Sequence, residues 1–320
     1  MSVRAELQLS FLSRLTERGL EVTRFTALLA TATATAAWSS GAPLPEPRTE
    51  VSAAPLRGEI VVVGGLRSDR SNTGRADAYS PARDMWRRLP DLPVAVDHAA
   101  AASYAGRVYV VGGYGADRRP LRTAFAFDGV RWRRLPTPPE PRAAAAAAAT
   151  AAGKLYVVGG RSATGLAFTT LVLDLRTLRW SRLPGTTPRE HLAAASSGGL
   201  VYAIAGRRAG IDTNVSTVEA LDPRTRRWRR VPSVPTTRGG TGAAAIAGRI
   251  VSVGGEEPAG TIRDVWSYDV RARRWTRLPD LPTPRHGLGV VALGGRVWVV
   301  AGGPRPGLTV SSAVESLPVP

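Results

Sequence analysis

The feature that most constrains this chain is a period of 46 to 49 residues, which runs from about residue 35 to the end. Doublets of small residues mark the period at Gly64-Gly65, Gly112-Gly113, Gly159-Gly160, Ala205-Gly206, Gly254-Gly255 and Ala301-Gly302. Tryptophans mark it independently at Trp38, Trp86, Trp132, Trp180, Trp228 and Trp275. Two markers keep one phase through six copies, which indicates a fold built by repeating one supersecondary unit.

Each copy predicts four short strands. The first is small and apolar, as in residues 192–195, and the second is an unbroken apolar run, as in residues 155–158. Such a run suits a strand that is buried on both faces. The glycine doublet then allows a turn where side chains would clash. The third strand ends at an aspartate such as Asp174, and the fourth carries the tryptophan followed by Leu-Pro. Proline and arginine in that last strand favour an outer edge.

This combination of period, glycine doublet and in-phase tryptophan resembles the kelch repeat over about residues 35–320. The resemblance implies an all-β fold, a six-bladed β-propeller with one four-stranded blade per copy. The last copy stops after its third strand, whereas Trp38 has no blade before it. We therefore expect the N-terminal strand around Trp38 to complete the blade begun by residues 287–317 and to close the ring.

Residues 1–34 lie outside the repeat and have two interpretations. Apolar residues at helical spacing indicate an amphipathic helix. Alternatively, Phe25–Ala37 resembles the end of a signal peptide with a small-residue cleavage site at residues 34–36. The sequence therefore leaves export and cytoplasmic residence open. No stretch has the length and apolarity of a membrane span.

The chain has no cysteine, and this excludes disulfides, thiolate metal sites and cysteine nucleophiles. It also excludes the chemistry of kelch-domain copper oxidases, which need a cysteine cross-linked to tyrosine. The net charge is +18, but Lys154 is the only lysine and many arginines occupy outer-strand positions beside the tryptophans. A groove for a phosphate backbone would be one-sided, with free aromatic residues for stacking. We therefore do not expect nucleic-acid binding.

An arginine recurs immediately before the inner strand in five of the six copies. The five are Arg48, Arg142, Arg189, Arg238 and Arg285; the remaining copy has Ala95-Val96. By resemblance to kelch proteins, ligands meet the face formed by these loops and by the loops that follow the glycine doublets. The second set of loops carries Arg67, Arg70, Arg118, Arg119, Arg161, Arg207, Arg208 and Arg305. Because guanidinium groups match carboxylates bidentately, we predict an anionic peptide or sugar acid as ligand. The alternative is that the five arginines are packing residues at the blade junctions.

The three histidines, His98, His191 and His286, all lie at the starts of inner strands in alternate blades. A threefold metal site would need one register, yet His286 is shifted by one residue, which reverses a side chain in a strand. No carboxylate recurs beside them as a consistent second shell, so we predict no metal and no cofactor. Glu50 shares the position of His98 and His191, and we include it with the three histidines among the candidate ligand-binding residues.

The sequence thus predicts a monomeric binding module that presents a basic channel mouth to an anionic small molecule, a carbohydrate or a protein partner. The alternative is a sugar-acid mutarotase, because some bacterial six-bladed kelch proteins that resemble this chain are sialic-acid mutarotases. Their acid/base residues cannot be matched to positions here, so no catalytic residue is assigned.

Overall fold

The computed structural model describes residues 36–319, which form six four-stranded antiparallel sheets around a central axis. The inner strand of each blade lies beside the inner strands of the two adjacent blades, and the first and last blades are neighbours in the same way. This confirms the all-β, six-bladed propeller. The helix or signal peptide considered for residues 1–34 lies outside the described residues.

The blades follow one another in chain order, each running from its inner to its outer strand. Blade one consists of Ser52–Leu56, Glu59–Val63, Ala76–Ser80 and Met85–Leu89. Blade two consists of Ala100–Tyr104, Arg107–Val111, Ala124–Phe127 and Trp132–Arg134. Blade three consists of Ala146–Thr150, Lys154–Val158, Thr169–Asp174 and Arg179–Pro184. Blade four consists of Ala193–Ser197, Leu200–Ile204, Val218–Asp222 and Arg227–Val231. Blade five consists of Gly242–Ile246, Arg249–Val253, Val265–Asp269 and Arg274–Leu278. Blade six consists of Gly289–Leu293, Arg296–Val300, Val314–Pro318 and Ser39–Ser40.

Short elements decorate the loops that follow the second strands. Two small hairpins pair Arg161–Ser162 with Gly165–Leu166, and Glu256–Glu257 with Gly260–Thr261. A 3-10 turn spans Ile211–Thr213. Within residues 36–319, no helix is long and apolar enough to cross a membrane.

The ring closes between the two ends of the described chain, as the sequence predicts. Ser39 and Ser40 pair antiparallel with Ser316 and Glu315 and supply the outer strand of blade six. Without these residues the last blade would present an unpaired edge.

The hydrophobic core is divided into six clusters, one at each junction between neighbouring blades. The second strands supply buried Val, Ile, Leu and Tyr side chains, which explains their unbroken apolar sequences. The inner strands carry small residues because six of them converge on one axis. Ala53, Ala101, Ala147, Ala194 and Ala243 line this narrow channel.

Each in-phase tryptophan joins its outer strand to the preceding blade. The indole nitrogen of Trp180 donates to the carbonyl of Pro136 at 2.8 Å, and that of Trp38 donates to Pro279 at 2.9 Å. The other four make the same bond, to Ala42, Pro90, Pro184 and Pro232. The periodic tryptophan therefore belongs to the blade junction, where its ring packs against the apolar cluster while one edge stays in solvent.

Candidate functional site

Six residues form a ring at one mouth of the channel, just before the inner strands begin. All six have positive φ, from 50° to 66°; they are Glu50, His98, Ala144, His191, Gly240 and Gly287. The backbone amide of each of the last five donates to the carbonyl of the member before it, and Val51 donates to Gly287 to complete the circle. We call these six residues the mouth ring. Left-handed backbone costs about 1–3 kcal/mol at a non-glycine residue, and four of the six ring members are not glycine.

Three members of the mouth ring carry ionisable side chains, and these lie close together. The Nε2 atoms of His98 and His191 lie 3.0 Å apart, and Glu50 Oε2 lies 3.2 Å from His98 Nε2. The three side chains are 8 to 12 % exposed. We call Glu50, His98 and His191 the mouth cluster. The structure thus brings together three of the residues that the sequence singled out.

A carboxylate from the preceding residue stands behind each histidine of the mouth cluster. Asp97 Oδ1 lies 2.5 Å from His98 Nδ1, and Glu190 Oε1 lies 3.4 Å from His191 Nδ1. The sequence predicts no carboxylate beside all three histidines, and the structure shows one behind each of the two histidines of the mouth cluster. Arginines hold the carboxylates in turn: Arg118 contacts Asp97 at 2.6 Å, and Arg161 contacts Glu190 at 3.4 Å.

His286 is not part of the mouth cluster, as its shifted register predicts. It occupies the position of Asp97 and Glu190 in its own blade, one residue before the ring member Gly287. Its Nε2 atom lies 2.9 Å from the carbonyl oxygen of Gly307, and its Nδ1 atom lies 3.4 Å from Glu50 Oε1. His286 therefore contacts the outer side of the Glu50 carboxylate.

The pKa values of the mouth cluster are shifted in different directions. Burial raises the pKa of the Glu50 carboxyl, but the three histidines outweigh burial and hold this pKa well below its ordinary value. Burial lowers the pKa of His98, but Glu50 and Asp97 outweigh it and raise that pKa. Burial lowers the pKa of His191, and Glu190 opposes this only in part. The pKa shifts of the two histidines are therefore opposite in direction, although their ring nitrogens are neighbours.

The structure places the five repeated arginines away from the mouth cluster. Their exposure is 0 to 1 %, and each guanidinium group bonds within its own blade. Arg48, Arg189 and Arg285 pair with the third-strand carboxylates Asp77, Glu219 and Glu315. Arg142 pairs with Glu140 beside the third strand, and Arg238 donates to the carbonyls of Gly254 and Asp264. The prediction that they converge at the channel mouth is not supported by this placement, which is that of packing residues.

Blade two supports the packing role, because it replaces both partners at once. Val96 stands where the other blades have arginine, and Phe125 stands where Asp77 and Glu219 lie in their blades. Both residues belong to one apolar cluster. Blades three and five keep the arginine although Leu171 and Trp266 replace the third-strand carboxylate, so the relation between the two positions is evident only from the strand pairing.

A cleft opens beside the mouth cluster on the same face, with a volume of about 540 Å³. His98 and His191 form part of its wall, together with Tyr114 and three arginines from the loops after the glycine doublets. Those arginines are Arg118, Arg161 and Arg207. We call this the mouth cleft. The sequence grouped the three with five other loop arginines, and only the structure shows that these three share one cleft with the histidines.

Comparison with known families agrees with this architecture. Residues 90–234 match the model of the KLHDC2/KLHL20/DRC7 Kelch-repeats domain. Residues 47–93 and 237–282 match the Kelch motif. Together these matches cover blades one to five.

Three curated relatives also carry the kelch name. Kelch-like protein terF of Aspergillus terreus is 28 % identical over 229 residues, which cover 69 % of this chain and 41 % of that protein. Kelch-like protein 35 of Mus musculus is 37 % identical over 49 residues, or 15 % of this chain and 8 % of that protein. F-box/kelch-repeat protein SKIP30 of Arabidopsis thaliana is 36 % identical over 55 residues, which cover 17 % of this chain and 16 % of that protein. The chain thus spans less than half of each relative.

Proposed function

Because this chain belongs to the kelch-repeat family of β-propellers, we propose that it is a binding module whose channel-mouth face holds an anionic ligand. The family supports a protein-interaction role in general. The finer proposal rests on one observation: Arg118, Arg161 and Arg207 converge on the mouth cleft. The ligand would be a carboxylate-bearing sugar or an acidic segment of a protein partner.

The arginines of the mouth cleft are oriented by carboxylates but remain partly exposed. Arg118 is 54 % exposed and Arg161 is 41 % exposed, although each contacts a buried carboxylate. Arg207 is 15 % exposed and contacts Glu256 at 2.8 Å. The Arg118 guanidinium also lies 4.8 Å from the Tyr114 ring centre, which restricts its orientation. Fixed guanidinium groups lose less side-chain entropy when they bind a carboxylate.

The mouth cleft is mixed in charge, and this favours a specific anion over a general polyanion. Asp97, Glu190 and Glu256 balance the three arginines one for one. The cleft therefore lacks the excess of positive charge with which proteins bind a phosphate backbone, whereas a single carboxylate can bind the exposed N–H groups of Arg118 and Arg161. No feature of the site or of the relatives favours the mutarotase alternative, and we do not propose it.

Titration of the protein with three acidic probes tests the proposal. The probes are sialic acid, galacturonic acid and an oligo-glutamate peptide, each added at low salt and again at physiological salt. We expect at least one probe to bind at low salt and to bind more weakly at physiological salt, where exposed charges are screened beyond about 8 Å.

The matched variants remove two arginines each. Arg118→Gln with Arg161→Gln should weaken binding by at least about tenfold, because hydrogen bonds to charged groups contribute ~1.5–3 kcal/mol. The control, Arg227→Gln with Arg229→Gln, removes the same charge from the exposed outer strand of blade four. An equal loss of affinity in both variants would mean that net charge alone causes the weakening. Failure of every probe to bind at low salt would refute the proposed ligand class.

A further inference from the structure

We propose that Glu50, His98 and His191 form a binding site for one divalent transition-metal ion of the zinc class at the channel mouth. The site goes beyond the proposed function and does not depend on it, because it rests on the geometry of the mouth cluster alone. The ligand atoms would be Nε2 of both histidines and one carboxylate oxygen of Glu50.

The distances within the mouth cluster suit a small tetrahedral ion. Ligands at about 2.0 Å from such an ion lie about 3.3 Å from one another. The observed separations are 3.0 Å between the two Nε2 atoms and 3.2 Å between His98 Nε2 and Glu50 Oε2. The third separation is longer: the His191 ligand atom lies beyond 4.0 Å from the Glu50 carboxylate but within 4.8 Å of it. The ion therefore fits once Glu50 and His191 move toward each other to the separation that tetrahedral ligands require.

The chemistry of the three atoms calls for a cation between them. With Nδ1 of His98 donating to Asp97, the neutral imidazole presents an acceptor lone pair at Nε2. That lone pair faces another imidazole nitrogen and a carboxylate oxygen. A proton on His98 Nε2 can serve only one of these two neighbours at a time. A metal ion serves all three together.

Glu50 differs from the buried carboxylates around it in having no arginine partner. Asp97, Glu190 and Glu256 each contact an arginine. Among residues 36–319, the Glu50 carboxylate has only His98 and His286 within 4.0 Å as basic neighbours, and it is 12 % exposed. A nearly buried carboxylate is normally paired or bound to a metal.

The surroundings of the histidines are those of metal ligands. A ligating histidine usually donates its other ring nitrogen to a carboxylate, which fixes the tautomer and the ring orientation. Asp97 occupies that position behind His98, and Glu190 lies 3.4 Å from His191 Nδ1 without a hydrogen bond to it. Because the two carboxylates come from the residues directly before the histidines, blades two and four each supply a ligand together with a carboxylate behind it.

The mouth ring leaves space for this arrangement. A Cβ atom at Gly287 would lie 2.6 Å from Glu50 Oε1, so the glycine lets the glutamate extend along the ring. At Gly240 the nearest atom to an added Cβ is His286 Cβ, at 3.2 Å. Ala144 holds the same backbone conformation, with φ of 50°, so the ring accommodates alanine.

The ligand set indicates which ions would bind. Two imidazoles and one carboxylate suit Zn²⁺, Co²⁺ or Fe²⁺, whereas Ca²⁺ and Mg²⁺ prefer sets made of oxygen. Three protein ligands leave at least one position open, and His98 and His191 both border the mouth cleft. The open position would therefore be reached from that cleft.

Titration of the metal-free, tag-free protein with Zn²⁺ and Co²⁺ tests the proposal. The chain contains three histidines and no cysteine, so the background of competing sites is small. We expect one Zn²⁺ per chain by calorimetry and a rise in melting temperature. Bound Co²⁺ should give a visible absorption band of tetrahedral or five-coordinate type.

The variants separate ligands from their surroundings. His98→Gln with His191→Gln should abolish one-to-one binding, and Glu50→Gln should weaken it at least tenfold. Asp97→Asn should weaken it about 10- to 100-fold, as is typical when the group that positions a ligand is lost. Gly287→Ala should weaken binding by displacing Glu50, whereas Gly240→Ala should leave the affinity within about threefold.

Two results would overturn the site. One is Zn²⁺ binding in the wild type that is no tighter than in the double histidine variant. The other is an equal loss of affinity in Gly287→Ala and Gly240→Ala, which would mean that Glu50 is not a ligand. Melting curves in the presence of a chelator establish that each variant is folded before metal is added.

Discussion

The buried pair of Arg189 and Glu219 provides the sharpest test of the packing role assigned to the repeated arginines. The two side chains are 1 % and 9 % exposed, and they meet at 2.5 Å. Glu219 also accepts from the hydroxyls of Thr186 and Thr187. The corresponding positions in blade two hold valine and phenylalanine, so the fold itself offers an apolar replacement.

We therefore predict strong coupling in a double-mutant cycle of Arg189→Val and Glu219→Phe. Each single change leaves one buried charge without its partner, which costs about 3–5 kcal/mol. The double variant leaves neither charge and recreates the pair of blade two. It should be less destabilised than the sum of the single variants by ~2 kcal/mol, within the range for residues in one network.

Urea unfolding followed by tryptophan fluorescence measures the cycle, with circular dichroism as a second probe. The slope of the unfolding free energy against urea should stay constant across the four proteins, so that the midpoints report stability alone. Additive single effects, with no recovery in the double variant, would refute the view that the two residues form one packing unit. So would single effects within ±0.5 kcal/mol, the range of ordinary surface changes.

Two further predictions concern the tryptophan at a blade junction and the buried glutamate of blade four. Trp180→Phe should lower the free energy of unfolding by about 1 kcal/mol, because the hydrogen bond to the Pro136 carbonyl is lost. Trp180→Ala should lower it by about 3 kcal/mol or more through lost packing. An unchanged urea midpoint in the alanine variant would contradict the structural role of this tryptophan. Burial raises the pKa of Glu219, but Thr186 and Arg189 outweigh burial and lower it. Its contribution to stability is thus complete above its unfolded pKa of about 4.3 and is lost as the pH falls through the lower folded pKa. In Glu219→Gln, the urea midpoint should therefore fall less steeply below about pH 4.3 than in the wild type. An equally steep fall in both proteins would contradict the lowered pKa of Glu219.

The architecture could be predicted from the sequence because six copies of the repeat carry the same information. Six copies of one spacing predict six blades, and an incomplete last copy together with the unmatched Trp38 predicts closure by the N-terminal strand. The observed pairing of Ser39 with Ser316 confirms that prediction. Periodic sequence determines such a fold because each blade packs only against its two neighbours.

The functional face was only partly readable, and the arginines show why. A residue that recurs at one position in five blades looks like a ring of ligands. Whether its side chain turns toward the channel or into the blade depends on partners about 30 residues away, such as Glu219 for Arg189. Spacing along the chain therefore identified the position but not the direction of the side chain.

For the mouth cluster, the sequence by itself determined which residues share a position: Glu50, His98 and His191 stand in one register, and His286 stands outside it. Only the tertiary structure decided that the three side chains meet, because their residues are 48 to 141 positions apart and ring closure sets their distances. The left-handed backbone of the mouth ring was equally hidden, since four of its six members are not glycine. Local sequence specifies strands and turns, whereas the convergence of several blades on one axis is a property of the closed ring alone.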